Sequence, residues 1–81
     1  MSDVDEVKKI ISAVSGIPVE SLDDTATLGE LGISSMHAMS TLLQLEVAWN
    51  IELAAVDLEF PVDYTIKDLT DMVVGVRERA G

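Results

Sequence analysis

The stretch Leu28-Gly29-Glu30-Leu31-Gly32-Ile33-Ser34-Ser35-Met36-His37-Ala38-Met39 runs a glycine-bearing loop straight into an apolar helix led by two serines. Ser34 has the side chain that helix N-caps favour, because its hydroxyl can accept a hydrogen bond from an amide of the first turn. Ser35 is then the first helical residue, with its Oγ turned outward into water. A helix start leaves backbone N–H groups unpaired and carries the positive end of the helix dipole, so a phosphate attached there is favoured. A Ser-Ser pair ahead of an apolar run is, by itself, more often only a cap. The rest of the chain has to decide between the two readings.

Downstream, the helix is expected from Ser35 to about Trp49. At about 100° per residue, Ala38, Leu42, Leu45 and Trp49 fall on one narrow stripe, the core face. Met36, Met39, Leu43 and Val47 fall on a second stripe, separated from the first by Glu46 on one side and by His37, Thr41 and Gln44 on the other. A helix in an 81-residue domain does not have two cores to fill. The second stripe is either covered by the long loop or another helix, or it is an exposed apolar strip for partner docking. Two methionines suit a surface that accepts several partners.

Upstream, Val4, Val7, Ile10, Ile11 and Val14 recur at helical spacing. Asp3 and Glu6 have the spacing of a capping box, and Gly16 with Pro18 supplies the stop. From Ile17 to Ile33 there is no sustained periodicity, yet Ile17, Val19, Leu22, Leu28, Leu31 and Ile33 are too many apolar groups for a disordered linker. The expectation is a long ordered loop with a short helical turn near Thr27 to Leu31; Asp23 and Asp24 serve as loop solvation and turn capping. Beyond Asn50 a brief helical turn is expected within Ala54 to Phe60, before Pro61 forbids continuation. Thr65 with Asp68 opens the last helix, on which Ile66, Leu69, Val73 and Val76 repeat, with Arg77 and Arg79 complementing its dipole and Gly75 weakening it. Nothing reads as an alternating strand. The fold expected is all-α: a small antiparallel bundle of three main helices plus one short helix, with a long loop between the first two, in one domain over residues 1–81.

Composition narrows the function. The net charge is −10, and the five basic residues, Lys8, Lys9, Lys67, Arg77 and Arg79, all lie near the ends. Between Ile10 and Ile66 the chain carries only acidic charges, which repel nucleic-acid phosphates and anionic lipid and steer basic protein surfaces toward it. No apolar run approaches the roughly 20 residues needed to cross a bilayer, and the acidic start lacks a secretory pattern. A cytoplasmic monomer with neither nucleic-acid nor membrane partners is expected.

Without cysteine the chain has no thiolate of its own, so thiol chemistry requires an added group. One histidine and scattered carboxylates do not form a convergent metal site. A hydrolase built on Ser35 would need a base, but residues two apart on a helix do not face each other, so Ser35 and His37 are not a catalytic pair. His37 is expected as a solvated residue or part of the docking face. The chain is not expected to be an enzyme.

Leu31-Gly32-Ile33-Ser34-Ser35-Met36 resembles the Leu-Gly-x-Asp-Ser-Leu signature of acyl carrier proteins, and the order of helices and loops is similar over nearly the whole chain. The resemblance implies a carrier with 4′-phosphopantetheine attached covalently to Ser35, holding acyl intermediates as thioesters. The partners it implies are a phosphopantetheinyl transferase and acyl-loading, condensing or acyltransferase enzymes. Ser34 replaces the usual Asp, which helps engage the transferase, and Met36 replaces the usual Leu. The second helix is also poorer in acid than in fatty-acid carriers, with Glu46 alone. That pattern suggests a discrete carrier of polyketide or related specialised biosynthesis, whose partners read Met36, Met39, Leu43 and Val47 more than charge. The alternatives are a fatty-acid synthase carrier, a free-standing aminoacyl or peptidyl carrier and, from another class, an unmodified helical interaction module.

Overall fold

The computed structural model describes residues 2–52 and 64–80, apart from the side chain of Ala80. Its helices are α1 (Asp3–Ser15), a single 3₁₀ turn at Val19–Ser21, α2 (Ser35–Trp49) and α3 (Ile66–Ala80). No strand forms among the described residues beyond one isolated antiparallel bridge between Thr27 and Thr65. The short helical turn expected within Ala54 to Phe60 lies outside the described residues.

The N-cap of α1 falls one residue earlier than expected. Ser2, not Asp3, is the N-cap: its Oγ accepts from the Asp5 amide at 3.3 Å, and Asp5 accepts back from the Ser2 amide at 3.5 Å. Asp3 is drawn instead to Arg77. At the other end Gly16 takes the left-handed conformation at φ 80° and donates to the Ser12 carbonyl, closing α1 where the glycine predicted. Asn50 closes α2 in the same way, at φ 52°.

The core gathers Val7 and Ile11 of α1, Ala38, Leu42 and Leu45 of α2, and Ile66, Leu69, Val73 and Val76 of α3, all buried. α1 packs against both other helices, and its start meets both of their ends. The Trp49 Nε1 donates to Glu6 Oε2 at 2.8 Å, and Arg77 clasps Asp3 through two hydrogen bonds of 3.1 and 2.9 Å. The Arg77 guanidinium also lies 4.3 Å from the centre of the Trp49 ring. α1 therefore runs opposite to α2 and α3, with the three helix ends tied by one aromatic-ionic cluster.

Buried Leu22, Leu28 and Ile33 pin the connection between α1 and α2 to this core. The loop is also fastened to the start of α3, where the Tyr64 backbone carbonyl accepts from the Leu28 amide at 2.9 Å and the Asp24 backbone carbonyl accepts from the Lys67 amide at 3.0 Å. Lys8 adds an ion pair to Asp24 at 3.6 Å. Asp23 accepts from both the amide and the hydroxyl of Thr25, at 2.9 and 2.7 Å, so it caps a turn as expected. Those bonds hold its carboxyl below the usual carboxylate range, the backbone donor having the larger effect.

Candidate attachment site at the start of α2

The segment before α2 is wound as a compact turn. Leu31 donates to Thr27 at 3.1 Å, Gly32 to Gly29 at 3.1 Å, and Ile33 back to Leu28 at 2.9 Å, so where a short helical turn is expected near Thr27 to Leu31 the chain forms hydrogen-bonded turns and no helix. Gly32 sits at φ 77°, a conformation that side chains with a Cβ avoid. It reverses the chain so that Ile33 enters the core and the next residues emerge at the surface.

Ser34 is the N-cap of α2. Its backbone is extended, at φ −72° and ψ 163°, and its Oγ accepts from the His37 amide at 3.2 Å. Its carbonyl takes the first helical bond, from Ala38, at 2.9 Å. Ser35 is the first residue of the helix, and it is exposed. Buried Ile33 on one side and buried Ala38 on the other leave the Ser35 side chain facing solvent.

The first turn of α2 contains no acidic residue. The amides of Ser35 and Met36 have no carbonyl acceptor within their own helix, because the first four N–H groups of any α-helix lack one. An anion on Ser35 Oγ would thus meet the positive end of α2 with no carboxylate of that turn opposing it. A phosphodiester-linked group fits this site.

His37 departs from the expectation of a solvated side chain. The residue is half-buried, and its Nδ1 is buried with no hydrogen-bond partner among the described residues. Thr41, expected on a polar flank, is buried as well, and its hydroxyl donates back to the His37 carbonyl at 2.9 Å. That back-bond satisfies the hydroxyl inside the core, so a threonine can take an apolar position. On this side of α2 Thr41 accordingly belongs to the packed interior, with His37 at its margin and Gln44 exposed. No group of three or more potential metal ligands converges among the described residues.

The second stripe of α2 is open. Met36 is 75 % exposed, Met39 49 %, Leu43 59 % and Val47 85 %. A shallow depression of about 430 Å³ lies along Leu43, Gln44, Val47 and Ala48. The described residues therefore leave uncovered the strip that begins beside Ser35 and descends α2.

Among the described residues the domain is helical and presents an exposed serine at a helix start, next to an apolar strip. Residues 5–73 match the family described as "Phosphopantetheine attachment site". The chain belongs to this family: it is a carrier protein, and 4′-phosphopantetheine is its covalent cofactor. Over 74 residues, 91 % of the chain, it is 31 % identical to the 3-methylorcinaldehyde synthase of a Phoma species. Over 44 residues, 54 % of the chain, it is 43 % identical to a nonribosomal peptide synthetase of Omphalotus olearius. The matched segments amount to 3 % and 1 % of those two proteins. No solved structure matches the chain. Among the described residues no helix is long and apolar enough to cross a membrane.

Proposed function

We propose that Ser35 Oγ is the attachment atom, and that this single 81-residue domain carries acyl intermediates for polyketide or related natural-product biosynthesis without performing catalysis. The observation that carries this reading is the exposure of Ser35 at the first position of α2, between the buried anchors Ile33 and Ala38. When bound, the 4′-phosphopantetheine arm supplies a terminal thiol to which an acyl group is joined as a thioester. Ser34 fixes the helix start and Gly32 sets the chain reversal, so the Ser35 oxygen projects in a defined direction. Tethering at that point raises the effective concentration of cargo at each partner.

Met36, Met39, Leu43 and Val47 form the docking strip for the phosphopantetheinyl transferase and for loading, condensing or acyltransferase enzymes. Four side chains along one helix fall well short of the roughly 800 Å² per partner of a standard stable interface. The strip therefore suits brief encounters, with the protein itself a cytoplasmic monomer. The near absence of charge on α2 supports partners that recognise shape and apolar surface there. The relative matched over most of the chain is named as a synthase of one small molecule, which supports a role in specialised biosynthesis.

Incubation with coenzyme A and a broad-specificity phosphopantetheinyl transferase tests the assignment. The wild type and Ser34→Ala should each gain one arm and Ser35→Ala none. A wild type that stays unmodified with several transferases would refute the reading.

A further inference from the structure

Two of the methionines stand in a setting unlike that of Met72. Met36, next to Ser35, is 75 % exposed and Met39 is 49 % exposed, whereas Met72 is partly buried and packed against the core. The chain has four methionines and no cysteine, so in the unmodified protein thioethers are the oxidisable sulfurs. Oxidation of methionine follows exposure, and it turns a flexible apolar side chain into a polar, chiral one.

We propose that Met36 and Met39 are a reversible oxidation switch on the docking strip, set by hydroperoxides; this rests on the strip's proposed role in partner binding. In each event the thioether sulfur attacks the terminal peroxide oxygen and the O–O bond breaks. The oxygen transferred to sulfur gives up its proton to the departing oxygen, which leaves as water or an alcohol. The sulfur is oxidised by two electrons and the peroxide is reduced by two, leaving a sulfoxide.

The location gives the chemistry its effect. Both sulfurs lie within the first two turns of α2, beside the attachment serine, on the part of the strip nearest Ser35. A sulfoxide there places a strong dipole in a contact that otherwise excludes water, and burying it without a hydrogen-bond partner is costly. The α2 core face, Ala38, Leu42 and Leu45, is untouched. Oxidation should consequently weaken partner recognition while the fold persists, and methionine sulfoxide reductases should reverse it.

The unmodified chain is treated with hydrogen peroxide, mapped by peptide mass after cleavage at glutamate, and offered coenzyme A and a transferase. Met36 and Met39 should gain oxygen at least about fivefold faster than Met72. Arm transfer should slow by about tenfold, equivalent to 1.4 kcal/mol, with unchanged helical circular dichroism, and recover after reductase treatment. The Met36→Leu/Met39→Leu variant should show the same rate before and after peroxide, whatever that rate is. An oxidised wild type that accepts the arm at full rate overturns the switch but leaves the carrier reading standing. So does a double variant that still slows, or a slowing that coincides with lost helicity. An untreated wild type that accepts no arm overturns both.

Discussion

The hydroxyl of Ser34 accepts the backbone amide of His37 at 3.2 Å, and this bond sets the first turn of α2 immediately behind Ser35. Removing the acceptor in Ser34→Ala should cost about 1 kcal/mol, the usual effect of losing an N-cap. Ser34→Asp retains an acceptor and adds a negative charge at the positive helix end, worth about 0.3–1 kcal/mol. Urea unfolding of the unmodified protein should rank Asp at or above Ser, and Ser above Ala. In the modified protein the advantage of Asp should shrink, because a phosphodiester would already occupy that end of the dipole.

At the opposite end of α2, Trp49 connects all three helices, through its donation to Glu6 at 2.8 Å and the Arg77 guanidinium over its ring. Trp49→Phe keeps a ring under Arg77 but removes the donor, so it should cost about 1 kcal/mol. Arg77→Gln should also destabilise, through loss of the cation–π contact and of a partly exposed ion pair. Chemical denaturation followed by circular dichroism measures both, and a double variant less destabilised than the sum would establish their coupling.

Acid should loosen the same cluster. The Arg77 side chain, chiefly by hydrogen bonding, holds the Asp3 carboxyl below its ordinary value of 3.8. The unfolded chain therefore binds this proton more readily than the folded one, and the stabilisation is complete above the ordinary value. It is lost as the pH falls through the lowered one. Asp23, lowered by Thr25, acts in the same direction. Urea midpoints measured from pH 6 down to pH 2 should fall less steeply for Asp3→Asn than for wild type.

Two glycines should respond oppositely to alanine. Gly32 at φ 77° makes the reversal before Ser34, and its added Cβ would meet no atom within 4 Å, so the penalty of Gly32→Ala is the left-handed backbone itself, about 1–2 kcal/mol. Gly75 lies inside α3, where a Cβ would make ordinary contact with the Arg79 side chain at 3.6 Å. Gly75→Ala should stabilise by up to about 1 kcal/mol, the helix-propensity difference. Thermal unfolding should move the two midpoints in opposite directions.

Much of this arrangement is legible in the sequence because it is local. The bounds of α2, its Ser34 cap, the buried stripe through Ala38, Leu42 and Leu45, and the exposed stripe through Met36, Met39, Leu43 and Val47 all follow from spacing along one helix. The interactions that escape a sequence reading join distant positions: Trp49 with Glu6 is separated by 43 residues and Arg77 with Asp3 by 74. They also explain the misplaced cap. Ser2 with Asp5 and Asp3 with Glu6 have identical spacing, and the choice falls to Ser2 while Asp3 and Glu6 are engaged by Arg77 and Trp49. Spacing puts Thr41 and His37 between the two stripes, with His37 expected as solvated or part of the docking face, but a back-bonding threonine and a half-buried imidazole are outcomes of packing. The turn at Val19–Ser21 is too short to leave any periodic signal.

The most direct test of the account is the position of the arm within the modified protein. Cleavage after Glu30 and Glu46 releases a peptide that contains Ser34, Ser35 and Ser40, and fragment masses can place the added group on one of them. The account predicts the full mass of 4′-phosphopantetheine on Ser35 and none on Ser34. An arm mapped to Ser34, or to any other residue, would contradict it.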